Sequence, residues 1–305
     1  MLRPTGLERA TVRAAFNDQR DACLHADFLF REIDRRMLER LDLIKLRPVA
    51  RVLDVGCGTG HSLATLAVRY PDARMIGTDI ADRLLAQAAG EPSRERRLAE
   101  GARRWLARLG VGGPRPLPAT MPLRFAADAH ALPIASNAID MVWSNLAAHW
   151  FDDPLAAVAE WHRVIRPDGL LMFSSFGVDT LKEVRPAPVG SGEDGAGSTA
   201  GAGWLSLQDM HDWGDALSSA GFADPVMDVE RLTLTYEDEG RLWDDAESLS
   251  MLPGLRHRDA AIRAHQSGQL ELSIEIVYGH AWCPPVKRRA DGLAVVQVHR
   301  NRGRL

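Results

Sequence analysis

The sequence predicts an α/β protein with a doubly wound, mostly parallel sheet. Three observations predict this class. Short apolar runs of the buried-strand type recur along the chain, segments with one apolar helical face lie between them, and a glycine-rich turn follows the first run. Strands that alternate with helices at this spacing form parallel sheets with helices on both faces.

The elements follow one another in a regular order. The first predicted helix spans residues 26–46, because apolar side chains recur on one helical face and charged side chains on the other. Strands are predicted at residues 50–55, 73–79, 123–128, 139–145, 170–176, 225–236 and 272–282. Helices are predicted at residues 61–70, 81–90, 154–165 and 207–222, and a further helical region follows residue 236.

The helix before the fifth predicted strand has clear boundaries. Asp153 is a good N-cap, and Pro154 suits the first helical position. The segment 166–169, "RPDG", stops the helix and predicts a turn. Two other segments interrupt the alternation: residues 91–118 resemble a basic insertion with a solvated face, and residues 188–203 are of low complexity and predicted to be mobile.

Composition excludes several classes of protein. The net charge of −4 gives no broad signal for nucleic acid or a membrane surface. No window approaches the ~20 apolar residues of a membrane span, and the first residues do not resemble a secretory signal. Cys23, Cys57 and Cys283 are too widely spaced for a disulfide framework or a metal site, so we expect no metal and a cytoplasmic location.

The turn "VGCGTG" is the first candidate site. Its glycines are Gly56, Gly58 and Gly60, a shorter spacing than the dinucleotide pattern G-x-G-x-x-G. This spacing after Asp54 favours a ligand without phosphates, such as S-adenosylmethionine. Turn amides can meet the carboxylate of that ligand, and Asp54 would lie near its cationic end. A plain tight turn is the alternative.

Two further acids follow the next two predicted strands. Asp79 is placed to accept hydrogen bonds from both ribose hydroxyls, and Asp128 from the adenine amino group. Either acid alone could be a helix N-cap. Together with Asp54 and the glycine turn, they predict a ligand site at the carboxyl edge of the sheet.

The motifs "VLDVGCGTG", "GTDIADRLLAQA", "ADAHALP" and "RVIRPDGLLMFSSFG" resemble those of class I S-adenosylmethionine-dependent methyltransferases. This resemblance implies a Rossmann-like, seven-stranded sheet with helical lid insertions. It also implies that Ile80, Ala129 and Asn145 contact the cofactor. The pattern Asn/Asp-Pro-Pro-aromatic, which is common in methyltransferases of base amino groups, is absent from "WSNLAAHW", and base methylation is therefore disfavoured.

Longer segments are similar to the malonyl-acyl-carrier-protein O-methyltransferases of biotin synthesis. These segments are "WSNLAAHW", "FSSFGVDTLKEVR", "FADPVMDVERLTLTY" and "EIVYGHAWCPP". The resemblance implies one methyltransferase domain over residues 1–305. Its parts are an N-terminal helical lid (1–46), a cofactor-binding core (47–180), a substrate and lid region (185–270) and a final strand region (271–298).

This family forms a methyl ester on the free carboxylate of a malonyl thioester. The carboxylate is already ionised at pH 7, so the chemistry requires alignment and exclusion of water rather than a general base. His149, Trp150, Cys23 and Lys182 are the predicted substrate-lining residues. Core packing is the alternative for Trp150, and a capping or surface role is the alternative for His149.

An acyl-carrier protein is acidic, so a carrier partner predicts a basic docking surface. Candidate cations for this surface are Lys182, Arg185, Arg256, Arg258 and Arg263. A small carboxylate is the other substrate that the resemblance allows.

Some positions depart from the family pattern. Cys23 stands where the family usually has a tyrosine thought to approach the substrate, and Asp244 and Glu247 stand where basic residues are expected. These departures keep two alternatives open. One is a divergent paralogue with another methyl acceptor. The other is a non-methylating relative, either a hydroxylase resembling a mitochondrial assembly factor or a binding-only protein.

Overall fold

The computed structural model describes residues 2, 7–18, 27–46, 48–90, 122–184, 207–250 and 270–285. Seven strands form one sheet. They are β1 (Arg51–Val55), β2 (Arg74–Asp79), β3 (Leu123–Ala126), β4 (Ile139–Ser144), β5 (Ile165–Phe176), β6 (Ala223–Tyr236) and β7 (Leu270–Trp282). The helices are α1 (Arg9–Asp18), α2 (Asp27–Asp42), α3 (His61–Arg69), α4 (Asp82–Gly90), α5 (Pro154–Val164), α6 (Met210–Ser219) and α7 (Glu239–Ser250).

The strand order is β3-β2-β1-β4-β5-β7-β6. The first five strands of that order pair in parallel, and β7 lies antiparallel between β5 and β6. The prediction of a mostly parallel, doubly wound, seven-stranded sheet is therefore confirmed. The chain order reverses between β1 and β4, and open α/β sheets bind ligands at the carboxyl ends of the strands beside such a point.

Helix α5 shows how local sequence sets an element boundary. The Asp153 side chain accepts a hydrogen bond from the N–H of Ala156 at 3.0 Å, and Pro154 occupies the first turn, as predicted. The helix ends at Val164, but the predicted turn at residues 166–169 is wrong, because β5 begins at Ile165 and runs through this segment. The segment forms an irregularity within the strand. Its register against β4 shifts, and backbone hydrogen bonds join it to Cys283.

Apolar side chains cover both faces of the sheet. On one face, Ile33, Met37 and Leu41 of α2 are fully buried, which confirms the apolar face predicted for this helix. On the other face, Trp161 of α5 and Trp213 of α6 pack with Phe173 of β5. The strand ends that form the site therefore stand on a core packed from both sides.

Several sequence predictions lie outside the described residues. They are the insertion at 91–118, the low-complexity segment at 188–203, Cys23, Arg185, Arg256, Arg258 and Arg263. Within the described ranges, no helix has the length and apolar character needed to cross a membrane.

Candidate functional site

A cavity lies at the carboxyl edge of the sheet, beside the point where the strand order reverses. The predicted site residues that line it are Gly56, Gly58, Asp79, Ile80, Asp128, Ala129, Asn145 and Trp150. Asp54, Gly60, His149 and Lys182 are not among its lining residues, and Cys23 lies outside the described residues. The roles assigned to all of these residues stay predictions.

The glycine turn is held by hydrogen bonds of its own backbone. The amides of Gly56 and Cys57 donate to the carbonyl of Thr78 at 2.8 and 3.0 Å, and the amide of Gly60 donates to the carbonyl of Cys57 at 2.8 Å. The amide of Gly58 donates to Asp79 Oδ2 at 2.8 Å. Four amides of the turn are thus already paired. An amide contact to a cofactor carboxylate is therefore left to Thr59 of the turn or to the first turn of α3, where helix N–H groups lack intrahelical acceptors.

Gly56 and Gly58 differ in what surrounds them. Both have positive φ, +77° at Gly56 and +49° at Gly58. A Cβ on Gly56 would lie 2.3 Å from Cβ of Ala147, whereas a Cβ on Gly58 would meet nothing within 4 Å. Gly56 therefore lets β1 approach the segment after β4, and Gly58 faces open space along the cavity.

Asp79 joins the end of β2 to this turn. Its Oδ2 accepts from Gly58 and its Oδ1 accepts from the N–H of Ala81, each at 2.8 Å. Desolvation raises the pKa of Asp79, and the backbone hydrogen bonds oppose this shift. The carboxylate keeps further acceptor capacity toward the cavity, since two oxygens offer about four acceptor positions.

Asp54 lies beneath the cavity. Its side chain is buried, and Oδ2 has no hydrogen-bond partner within the described part of the chain. Burial, with smaller effects from the charges of Asp34 and Asp79, raises the pKa of Asp54 well above its ordinary value. Asp54 does not line the cavity. Its expected place near the cationic end of the cofactor stays a prediction.

Asp128 belongs to a charged cluster at the cavity. The N–H of His130 donates to Asp128 Oδ1 at 2.9 Å, and the Nδ1 atom of His130 lies 2.5 Å from the same oxygen. Arg9 Nη1 donates to Asp128 Oδ2 at 2.6 Å. Burial opposes ionisation of Asp128, but the hydrogen bonds and charge of His130, with the charge of Arg9, outweigh it and lower the pKa of this carboxyl group.

Asn145 connects the lining to α2. Its Nδ2 donates to the carbonyl of Phe30 at 2.9 Å, and its Oδ1 accepts from the hydroxyl of Ser174 at 2.9 Å. Phe30 also lines the cavity. Asn145 therefore holds the N-terminal half of α2 against the ends of β4 and β5.

His149 and Trp150 are neighbours in sequence with different surroundings. His149 is buried, its Nδ1 accepts from the N–H of Phe176 at 3.3 Å, and burial lowers its pKa to about 3. Trp150 lines the cavity and meets the ring of Phe16 edge-on, with centroids 5.2 Å apart. Of the two, only Trp150 is placed to touch a ligand in this cavity.

The remaining substrate-side predictions lie away from the cavity. Lys182 is exposed in a short 3-10 turn after β5. Asp244 and Glu247 belong to α7, which packs against β6 and β7, and neither side chain lines the cavity.

Sequence reasoning missed the contribution of α1. Arg9, Val12 and Phe16 line the cavity, and their spacing places them on one helical face. His130 and Asp152 also line it. The i, i+3, i+7 spacing in "RATVRAAF" could have identified the helical face. The residues that the helix contacts are nevertheless far away in the chain, with 65 residues between Asn17 and Asp82 and 119 between Arg9 and Asp128.

The side chains of the cavity suit the chemistry of S-adenosylmethionine. Asp79 and Asp128 offer carboxylate acceptors for hydroxyl and amino groups, and Ile80 and Leu84 add apolar surface. No group of three or more His, Cys, Asp or Glu side chains that could hold a metal ion occurs within the described ranges.

Comparison with solved structures supports the fold alone. The YcgJ protein of Bacillus subtilis superposes with a TM-score of 0.52 at 16% identity, covering 81% of this chain and 97% of that one. A protein of Bacillus halodurans C-125 superposes with a TM-score of 0.53 at 18% identity, covering 81% and 98%.

Comparison of sequences is more specific. Residues 53–173 match a family described as a methyltransferase domain. The malonyl-[acyl-carrier protein] O-methyltransferase of Laribacter hongkongensis is 39% identical over 309 residues, which cover 96% of each chain. The protein of the same name from Gallionella capsiferriformans is 40% identical over 306 residues, covering 96% of this chain and 97% of the relative. The chain therefore belongs to the family of malonyl-[acyl-carrier protein] O-methyltransferases, which are S-adenosylmethionine-dependent enzymes.

Proposed function

We propose that this protein transfers a methyl group from S-adenosylmethionine to the free carboxylate of malonyl-acyl-carrier protein, in the cytoplasm and as a step of biotin synthesis. The observation that carries this proposal is the extent of the sequence match. Identity of 39% over 96% of the chain extends far beyond the methyltransferase domain at residues 53–173. The substrate half of the protein is therefore related to these enzymes too.

The cavity lining has two groups of residues that fit this reaction. Asp79, Ile80 and Asp128 form a group suited to a nucleoside. Phe16 and Trp150 form an aromatic pair where α1 meets the turn after β4. We assign the acceptor to the aromatic pair, because apolar aromatic walls exclude water while the acceptor is held in line.

The reaction requires little acid–base catalysis from the protein. When bound, S-adenosylmethionine supplies a methyl group already activated by its sulfonium. A carboxylate is ionised at pH 7 and is itself the nucleophile, so no proton has to be removed from it. His149 fits this account, since it is buried away from the lining and its lowered pKa keeps it neutral. Alignment of the reacting atoms can lower the barrier by roughly 7–11 kcal/mol.

Two of the departures from the family pattern are weak arguments against this proposal. Asp244 and Glu247 do not line the cavity, so they place no negative charge against the acceptor there. Arg9 brings a guanidinium to the lining from α1, although Asp128 and Asp152 share its charge. The effect of Cys23 is left to experiment.

The direct test is transfer of radiolabelled methyl groups to purified malonyl-acyl-carrier protein. Adenosylhomocysteine is removed enzymatically so that product does not accumulate. We expect a base-labile ester on the malonyl carrier and no label on acetyl-acyl-carrier protein, which lacks the free carboxylate. Label on neither carrier, from protein that still binds adenosylhomocysteine, would contradict the proposed acceptor and favour a divergent paralogue.

A Trp150→Ala variant tests the aromatic pair separately. We expect the rate with malonyl-acyl-carrier protein to fall at least about tenfold, because the aromatic wall is lost. Affinity for adenosylhomocysteine should change by less than about threefold. Trp243 of α7, which is buried outside the cavity, provides the control Trp243→Phe with activity retained.

A further inference from the structure

Four charged or polar side chains at the cavity form a closed network, which we term the Arg9 cluster: Arg9, Asp128, His130 and Asp152. Arg9 contacts both carboxylates, with Nη1 2.6 Å from Asp128 Oδ2 and Nε 2.8 Å from Asp152 Oδ2. His130 also contacts both, with Nδ1 2.5 Å from Asp128 Oδ1 and Nε2 3.0 Å from Asp152 Oδ1. All four residues line the cavity.

The hydrogen bonds of Asp128 nearly fill its acceptor capacity. A carboxylate offers about four acceptor positions, two on each oxygen. Oδ1 accepts a hydrogen bond from the backbone N–H of His130 and contacts Nδ1 of the same residue, so both of its acceptor positions are occupied. Oδ2 accepts a hydrogen bond from Arg9, which occupies one of its two acceptor positions. One acceptor position therefore remains, on Oδ2 beside the guanidinium, and its direction is set by the other three contacts.

Arg9 is held in place from two sides. Asp152 engages Nε through both carboxylate oxygens, at 3.0 and 2.8 Å. The helix that carries Arg9 is also anchored one and two turns further along, where Arg13 and Asn17 both donate to Asp82 Oδ1 at 3.0 and 3.1 Å. Asp128 and Asp152 therefore direct the guanidinium from two sides, while 46% of the Arg9 side chain stays exposed.

We propose that Arg9 is a positioning residue for the nucleoside-binding residues of this cavity. It fixes Asp128 so that its remaining acceptor position on Oδ2 selects a purine that carries an exocyclic amino group. The proposal rests on the proposed function for the identity of the ligand. The proposal assigns selectivity for the base to α1, a helix that lies outside the cofactor motifs.

The test compares two ligands that differ only at that group. S-adenosylhomocysteine carries the amino group, and the analogue of it with unsubstituted purine as the base carries a hydrogen atom in its place. Titration calorimetry gives the affinity of each without any methyl acceptor. The wild-type protein should prefer the adenosyl ligand by about tenfold or more, because the amino group donates to a charged acceptor and the C–H group cannot.

The variant Arg9→Ala should reduce this preference to about threefold or less, because Asp128 loses one of the contacts that direct it. Arg35→Ala is the matched control, since Arg35 also contacts two acids, Glu32 and Glu39, but lies on α2 and does not line the cavity. It should leave the preference unchanged. A purely structural role of Arg9 would weaken both ligands equally and keep their ratio, which would overturn the proposal.

Asp152→Asn provides a second route if Arg9→Ala does not fold. It weakens the hold on Arg9 and His130 without touching Asp128, so the preference should fall in the same direction. An unchanged preference in Asp152→Asn overturns the proposal. Wild-type protein that binds both ligands equally overturns it while leaving the proposed function intact. If the wild-type protein binds neither ligand, both the Arg9 proposal and the proposed function are overturned.

Discussion

The amide of Gly58 donates a 2.8 Å hydrogen bond to Asp79 Oδ2, so the glycine turn after β1 and the acid that ends β2 form one structural unit. The other oxygen of Asp79 accepts from Ala81 at the start of the next segment. The geometry of the turn and the direction of this carboxylate therefore depend on each other.

Asp79→Asn should weaken binding and stability together. An amide has one acceptor oxygen, so its NH₂ group must face either the Gly58 or the Ala81 amide, and one hydrogen bond is lost. We expect about 1–3 kcal/mol lower stability and at least about tenfold lower affinity for adenosylhomocysteine. Thermal unfolding and calorimetry measure both. The exposed Asp72→Asn is the control, and unchanged affinity in Asp79→Asn would argue against a ligand role for Asp79.

Alanine at two positions of the turn should have unequal effects. At Gly56 the new Cβ would lie 2.3 Å from Ala147 in addition to the strain of positive φ, whereas at Gly58 only the strain applies. We expect Gly58→Ala to lose about 1–2 kcal/mol of unfolding free energy and Gly56→Ala clearly more. Urea unfolding measures the difference. Equal losses would mean that the close approach of β1 to Ala147 is not a constraint.

Regular elements were predictable because their signals are local. Asp153 and Pro154 mark the start of α5, and the alternation of apolar runs with helices predicts the sheet. The prediction of a turn at residues 166–169 was wrong. Ile165 pairs with Ile139, and the segment forms backbone hydrogen bonds with Cys283. These long-range contacts outweigh the local preference of "RPDG" for a turn.

Residues of the candidate site could be brought together from the sequence only where a motif carries its own geometry. The acids at the ends of β2 and β3 could be placed at one edge because parallel strands share it. Arg9 and Asp152 could not be joined from sequence, since 143 residues separate them. Asp34 was not singled out either. It is buried on α2, where it accepts hydrogen bonds from Trp143 Nε1 at 3.2 Å and from the hydroxyl of Thr65 at 3.0 Å.

His149 should make the protein sensitive to acid. Burial lowers its pKa from 6.5 to about 3. Between these values the unfolded chain binds a proton that the folded protein does not, so stability is complete above pH 6.5 and falls as the pH is lowered toward 3. The slope from this residue is at most about 1.4 kcal/mol per pH unit.

His149→Gln should remove this part of the acid sensitivity, because glutamine does not titrate while its oxygen can still accept from Phe176. Urea unfolding at a series of pH values gives the slope. The exposed His211→Gln is the matched control and should keep the wild-type slope. The same slope in His149→Gln and the wild type would show that His149 does not control it.

Two buried acids should respond in opposite ways to replacement by asparagine. Desolvation, with the charges of Asp34 and Asp79, raises the pKa of Asp54 well above 3.8, so the folded protein holds a proton that the unfolded chain releases. The stability associated with Asp54 is full below pH 3.8 and is lost as pH rises through the folded value. Asp54→Asn should therefore be more stable than the wild type at pH 8, and the gain should shrink toward pH 4.

Asp140 is the contrasting case, because its Oδ2 accepts from the amides of Ala50 and Arg51 at 3.1 and 2.7 Å and its Oδ1 contacts Arg166. An asparagine there turns an NH₂ group toward one of these donors, so Asp140→Asn should lose about 1–3 kcal/mol at pH 8. Urea unfolding of both variants at pH 4 and pH 8 separates the two cases. A loss of stability in Asp54→Asn at pH 8 as large as that in Asp140→Asn would mean that Asp54 is ionised and paired in the folded protein.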